Sequence, residues 1–236
     1  VLAHLHPFAS IAGVFDETVA GWRGVPQSYL CDAFVDFEGD SGGYFLMPGF
    51  AWPISTAINT PGFGPEFMEL LADFPRMAVL GVMLHDTSEG RVTLARRADR
   101  PAIDYRLNAG DAANLRAGLK KSAEIYFAAG ARKVVLPFAP LTVLNSREEI
   151  ALLDRMPIEP HRILVGSVHP QGTLRMGKDP RTSATDAWGE HHDVKRLFVA
   201  DTSLFPTSLG GPPMITTAAL ATRLAERLVE KRAAYF

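Results

Sequence analysis

The stretch from residue 77 to residue 129 constrains the fold of this 236-residue chain more than any other. Residues 77–84 are almost all apolar, residues 86–90 are typical of a turn, and residues 91–95 alternate between polar and apolar side chains, which predicts a β-hairpin. In residues 103–107 apolar side chains again occur at every second position, as in a strand with one wet face. The pattern therefore predicts an antiparallel sheet that contains these three strands.

Helical patterns flank the predicted strands. Residues 111–129 carry apolar side chains at helical spacing, and Gly130 is a natural C-terminal stop. We expect this helix to cover the sheet with Leu115, Leu119, Ala123 and Tyr126. Residues 65–72 predict a short helix that begins with a proline. The first 65 residues are rich in glycine, proline and aromatic side chains and are expected to form loops and short strands over a core.

The composition indicates a folded protein whose ligand is a small molecule. Hydrophobic residues make up 47% of the chain, which is enough for a substantial core. A net charge of -2 gives no electrostatic reason to expect a nucleic acid or an anionic membrane as partner. No apolar run approaches the roughly 20 residues that cross a bilayer. The single cysteine, Cys31, excludes an intramolecular disulfide and a cysteine-based zinc site.

His169 is the first candidate for chemistry. It lies between a short apolar run, residues 163–165, and a turn at Gly172 and Thr173, which would hold its imidazole at the mouth of a strand. A neutral imidazole near pH 7 is the side chain best matched to removing an alcohol proton while a hydride leaves the same carbon. The alternative is a loop histidine that donates a hydrogen bond to a backbone carbonyl.

The segment from Asp201 to Met214 is the second candidate. The sequence predicts a short buried strand from Leu197, a turn rich in proline and glycine, and a closing helix that begins at Pro213. The N-terminus of that helix offers free N–H groups and a partial positive charge, which suit the anionic edge of a ligand. Ordinary helix capping against a core strand is the alternative.

Three segments together resemble the glucose-methanol-choline (GMC) family of flavin-dependent oxidoreductases: residues 167–177, 197–206 and 210–214. The resemblance implies an α+β fold, in which an antiparallel sheet covered by helices forms a substrate-binding domain over residues 1–195. Residues 196–236 would supply the last strand and helix of a Rossmann-like FAD-binding domain. The resemblance also implies FAD as cofactor, a small-molecule alcohol as substrate and His169 as the active-site base. The positions that it places beside the flavin are Asp201, Thr202, Pro213 and Met214.

Two features depart from the family pattern. Pro212 stands at the substrate-contacting position where the family usually has Asn or His, and proline has neither a side-chain donor nor an N–H. The chain also lacks the strand, G-x-G-x-x-G turn and helix that cradle a dinucleotide pyrophosphate. Because residues 5–7 resemble the family segment that follows this unit, we expect the missing N-terminal FAD-binding half to come from the same precursor or from a separate chain.

The predicted function is FAD-dependent oxidation of the CH–OH group of a primary or secondary alcohol, such as a sugar or polyol, to a carbonyl, with this chain inactive alone. The alternative is a non-catalytic fragment or divergent paralogue with a binding or assembly role. We predict no metal site, because the adjacent His191 and His192 point apart. A hydrolase triad of Ser167, His169 and Asp201 lacks the G-x-S-x-G elbow. The compartment, cytoplasm or periplasm, stays open.

Overall fold

The computed structural model describes residues 2–25, 27–96 and 99–235, and the chain forms two compact units. The first unit contains residues up to His6, His85–Leu107 and the residues from Ser167 onwards, and the second contains Pro7–Leu84 and Asn108–Gly166. The predicted division into a substrate-binding domain, residues 1–195, and a part of an FAD-binding domain, residues 196–236, stays a prediction.

The strands and helices follow one another along the chain without an internal repeat. The strands are β1 (Leu2–Ala3), β2 (Phe8–Val14), β3 (Tyr44–Gly49), β4 (Met77–Leu84), β5 (Gly90–Leu94), β6 (Pro101–Asp104), β7 (Lys133–Leu136) and β8 (Thr142–Leu144). The helices are α1 (Pro53–Ile58), α2 (Gly64–Ala72), α3 (Ala109–Ala128), α4 (Met214–Glu230) and α5 (Arg232–Tyr235). Short 3₁₀ helices occupy Phe74–Arg76, Glu148–Asp154 and Thr202–Leu204.

The second unit is built on a five-stranded antiparallel sheet in the order β3-β4-β2-β7-β8. The apolar run of β4 suits its place between two neighbouring strands. The predicted strand at residues 77–84 is therefore confirmed, but its predicted hairpin with residues 91–95 is wrong, because β4 pairs with β2 and β3. Strand β2, which lies in the region expected to form loops and short strands, is an inner strand of seven residues.

Helix α3 covers this five-stranded sheet, which shares only β4 with the sheet that the sequence predicts. Its four predicted apolar side chains are all buried: Leu115, Leu119, Ala123 and Tyr126. The helix begins after Asn108, whose side chain accepts the N–H of Asp111 at 2.8 Å and so satisfies one of the free donors of the first turn. The backbones come close where Gly118 faces Val82, since a Cβ at Gly118 would lie 2.3 Å from a Val82 methyl group.

The first unit contains the small antiparallel sheet β1-β5-β6 and the closing helix α4, which buries Leu224. The prediction of a strand from Leu197 is wrong. In the described part of the chain Phe198 forms only an isolated bridge with Glu190. Antiparallel sheets with covering helices confirm the α+β class. No helix among the described residues has the length and apolar character that spanning a bilayer requires.

Candidate active site

Backbone pairing brings the predicted site segments together in the first unit. The N–H groups of Gly172, Leu174 and Met176 donate to the carbonyls of residues 202, 203 and 204 at 3.2, 2.9 and 2.8 Å. The hydroxyl of Thr202 donates to the carbonyl of Pro170 at 2.8 Å. The segment after His169 is therefore tied to the segment that begins at Asp201.

Gln171 joins the same segment to the glycine-proline turn before α4. Its side chain is buried, and its Oε1 accepts the backbone N–H of Leu209 at 2.9 Å. Its Nε2 has no hydrogen-bond partner among the residues that the structure describes. Sequence reasoning did not select Gln171, because a glutamine inside a motif gives no sign that it will be buried.

His169 is half-buried, and a hydroxyl orients its backbone. The Ser167 hydroxyl accepts the N–H of His169 at 3.3 Å and donates to the carbonyl of Leu5. Burial lowers the pKa of the His169 imidazole below its usual value. The lowered pKa favours the neutral ring, which is the form that a proton acceptor needs.

His6 contacts His169 directly. The two Nδ1 atoms are 3.1 Å apart, and the rings stack with their centroids separated by 5.2 Å. The His6 side chain is fully buried, and its pKa falls to about 3, first through burial and then through the nearby His169 and His85. The sequence signal for this residue was the segment of residues 5–7, which was interpreted only as a marker of where the family pattern begins.

Asp86 holds the backbone of His6 in an unusual conformation. His6 has a φ of 50°, in the left-handed region that few residues other than glycine adopt, although asparagine, aspartate and histidine do so more often than the rest. The buried Asp86 carboxylate accepts the N–H of His6 at 3.0 Å, the N–H of Leu5 at 3.3 Å and the hydroxyl of Tyr105 at 2.7 Å. These hydrogen bonds fix the turn that places the His6 ring.

His85 packs against the turn that leads to Pro212. Gly210 has a φ of 70°, and a Cβ at this position would lie 2.5 Å from Cγ of the His85 ring. Only glycine fits here on both grounds. His85 therefore borders the glycine-proline turn. Within the described ranges, no three His, Cys, Asp or Glu side chains are arranged so that they could hold one metal ion.

The predicted cofactor positions lie on either side of residues 203–212: Asp201 and Thr202 before this segment, and Pro213 and Met214 after it. Asp201 uses its carboxylate to cap the 3₁₀ helix through the N–H of Ser203 at 2.8 Å. Pro213 is the buried N-cap of α4, while Met214 and Ile215 are 78% and 80% exposed. Within the described residues, no side chain caps this helix and no acidic residue lies in its first turn. Open N–H donors beside exposed apolar side chains fit the anionic, aromatic edge of a flavin.

Comparison with known proteins decides the family. The sequence profile described as GMC oxidoreductase matches residues 86–221, which include His169 and the whole segment from Asp201 to Met214. The chain belongs to the GMC oxidoreductase family. This confirms the resemblance carried by the three motif segments.

The relatives of this GMC oxidoreductase chain are longer proteins. An uncharacterized GMC-type oxidoreductase of Mycobacterium tuberculosis (strain ATCC 25618 / H37Rv) is 30% identical over 227 residues, which cover 96% of this chain and 35% of the relative. A long-chain-alcohol oxidase of Arabidopsis thaliana is 36% identical over 164 residues, which cover 66% of this chain and 22% of that protein. The chain thus spans about a third or less of the length of these relatives.

Solved structures share the fold. Pyridoxine 4-oxidase from Mesorbium loti superposes with a TM-score of 0.64 at 21% identity, over 97% of this chain and 43% of the oxidase. An Aspergillus oryzae formate oxidase variant, whose structure addresses FAD modification, gives a TM-score of 0.64 at 16% identity, over 99% of this chain and 48% of that protein. FAD is thus the cofactor of this structural neighbour.

Proposed function

We propose that this chain is the carboxyl-terminal, substrate-binding portion of an FAD-dependent oxidoreductase that converts the CH–OH group of an alcohol to a carbonyl. The observation that carries the proposal is the half-buried His169, whose Nδ1 is engaged with His6 and whose Nε2 is the nitrogen left for a substrate. The similarity to long-chain-alcohol oxidases supports a primary alcohol with an apolar chain as the first substrate class to test. Sugar and polyol substrates are the next class.

The chemistry divides between the protein and the cofactor. FAD, when bound, supplies the acceptor for the hydride that leaves the substrate carbon. His169 takes the hydroxyl proton at Nε2, a role worth roughly 10² to 10⁴ in rate. Pro213 and Met214 would line the flavin side at the start of α4, where the backbone N–H donors begin at Met214 because Pro213 has none. The 3₁₀ turn at Asp201 and Thr202 would contribute further backbone N–H groups.

Pro212 limits what this site does by itself. It is exposed and offers neither a donor nor an acceptor side chain, so it cannot share the stabilisation of an alkoxide with His169. We propose that the missing FAD-binding half supplies the dinucleotide cradle and completes the site. The competing hypothesis, a non-catalytic chain with a binding or assembly role, draws its support from the same Pro212.

The test is turnover of a long-chain primary alcohol by the chain joined to its FAD-binding half. His169→Ala should lower kcat by roughly 10² to 10⁴ while FAD content and circular dichroism stay unchanged. The matched control is His192→Ala, because His192 bonds only to Ser183 among the hydrogen bonds described for its ring. Full turnover by His169→Ala would overturn the proposal, as would the absence of any alcohol oxidation by the FAD-loaded wild type.

A further inference from the structure

The contact between His6 and His169 restricts where the two rings carry their hydrogens. With the Nδ1 atoms 3.1 Å apart, one of them must carry a hydrogen and the other a lone pair. His6 is fully buried next to two other imidazoles, and a charged ring there would lose its hydration and face like charge. His6 therefore stays neutral and always has one lone pair to offer.

The protonated form of His169 decides the direction of the hydrogen bond. An imidazolium carries hydrogens on both nitrogens, so Nδ1 of a protonated His169 can only donate. The contact is then satisfied only if Nδ1 of His6 bears the lone pair and Nε2 of His6 bears its hydrogen. The buried Nε2 of His6 has no hydrogen-bond partner among the described residues in either tautomer, so its burial does not select between them. In the opposite arrangement two hydrogens would meet between the rings as soon as His169 accepted a proton.

We propose that His6 is a positioning residue for His169, accepting the hydrogen of its Nδ1 and thereby leaving its Nε2 free to take the proton of a substrate hydroxyl. This inference rests on the proposed function of His169. In the step, the substrate O–H bond breaks and the proton joins Nε2 of His169, while the C–H hydrogen leaves with its electron pair to FAD. The Nδ1–H bond of His169 stays intact, and its hydrogen bond to His6 becomes charge-assisted.

Hydrogen bonds hold the backbone at both histidines in place. On one side, the Asp86 carboxylate fixes the N–H of His6 at 3.0 Å. On the other side, the Ser167 hydroxyl links the N–H of His169 to the carbonyl of Leu5, the residue before His6. These hydrogen bonds tie the backbone segments that carry the two histidines to each other.

A pair of variants separates hydrogen bonding from packing. Asparagine tolerates the positive φ of His6 and offers Oδ1 as an acceptor, whereas leucine has no polar atom and also fits the positive φ less well. Circular dichroism therefore has to show first that His6→Leu keeps the wild-type fold. His6→Asn should keep the hydrogen of His169 on Nδ1. His6→Leu should let the hydrogen move to Nε2, the nitrogen that an isolated imidazole prefers.

Nitrogen-15 chemical shifts of the His169 ring in this chain report the tautomer directly at pH 7.5. In the wild type we expect Nδ1 to carry the hydrogen and Nε2 to carry the lone pair. This measurement tests the inference even if a His6 variant does not fold. A hydrogen on Nε2 in the wild type would overturn the inference. The same tautomer in His6→Asn and His6→Leu would overturn it as well.

Kinetics of the FAD-loaded enzyme distinguish this inference from the proposed function. His6→Leu should lower kcat with KM unchanged, by about the 10- to 100-fold that loss of the partner orienting a metal-bound imidazole costs. His6→Asn should stay within a few-fold of wild type. If His169→Ala retains full turnover, the proposed function fails. If His169→Ala is inactive but the two His6 variants turn over equally, only the role of His6 fails.

Discussion

The amide oxygen of Gln171 accepts the backbone N–H of Leu209 at 2.9 Å, and this bond ties the segment that carries His169 to the turn before α4. Gln171 is 1% exposed, so its amide lies away from water. We predict that Gln171→Met, which keeps the volume but removes the acceptor, lowers the free energy of unfolding by about 1–3 kcal/mol. Urea titration measures this, with Gln27→Met at an exposed position as the control, expected within about 0.5 kcal/mol of wild type. Equal effects of the two variants would contradict the structural role of Gln171.

The buried His6 makes stability depend on pH. Its pKa is about 3 in the folded protein and near 6.5 when unfolded, so below pH 6.5 the unfolded chain binds a proton that the folded chain does not. The contribution of neutral His6 to the free energy of unfolding is fully present above pH 6.5. It falls by about 1.4 kcal/mol per pH unit as the pH drops towards 3.

The groups that surround His6 are His169, His85 and the Asp86 carboxylate, and all of them remain in a His6→Asn variant. We expect the loss of unfolding free energy between pH 7 and pH 5 to be about 2 kcal/mol smaller in His6→Asn than in the wild type. Urea titrations at the two pH values measure the difference. An identical loss in both proteins would show that His6 titrates normally in the folded state.

Gly13 leaves room for an aromatic ring at the helix–sheet contact. The Tyr126 ring lies over Gly13, where a Cβ would come within 2.3 Å of the ring, and the Tyr126 hydroxyl donates to the carbonyl of Ala78 at 2.9 Å. We predict that Gly13→Ala lowers the free energy of unfolding by about 1–3 kcal/mol through overpacking. Gly49→Ala is the control in another strand of the same sheet, because its nearest contact, at 3.7 Å, is of ordinary length. Thermal unfolding should show that Gly13→Ala is less stable than Gly49→Ala. A Gly13→Ala protein as stable as wild type would refute the close contact.

Asp73 gathers three cations at the end of α2. Its carboxylate contacts Arg76 at 2.7 Å, Arg132 at 2.6 Å and Lys133 at 2.6 Å. Burial alone would raise the pKa of Asp73, but the hydrogen bonds from Lys133 and Arg76 outweigh it and bring the pKa to about 2. The stabilisation is therefore present above pH 3.8 and is lost as the pH falls through 2.

Removing the Asp73 charge should accordingly destabilise the second unit at neutral pH. After allowance for solvent screening, we expect Asp73→Asn to lower the free energy of unfolding by about 1–2 kcal/mol at pH 7. Asp154→Asn breaks a single exposed pair with Lys120 and should change it by less than about 1 kcal/mol. Urea titration of the two variants side by side tests the ranking, and the opposite order would contradict it.

Local pattern determined the elements whose signal lies within one window of sequence. Strand β4 and helices α2 and α3 were predicted close to their observed limits, and α4 begins one residue after the predicted start at Pro213. Continuous apolar runs and 3.6-residue periodicity give these signals because they reflect the burial of one face. The motif segments likewise pointed to the family and to His169 as the proton acceptor, a role that stays a prediction.

Only the tertiary structure decided which strands pair and which side chains meet. The predicted hairpin failed because the partners of β4 are distant in sequence, and a period-two pattern does not state its partner. His6 and His169 are separated by most of the chain, and the isolation of His6 from water, which keeps its ring neutral, is a property of the folded first unit. The sequence by itself determined the local elements and the chemical type of the site. Burial and hydrogen bonding between segments that are distant in sequence decided which residues surround His169.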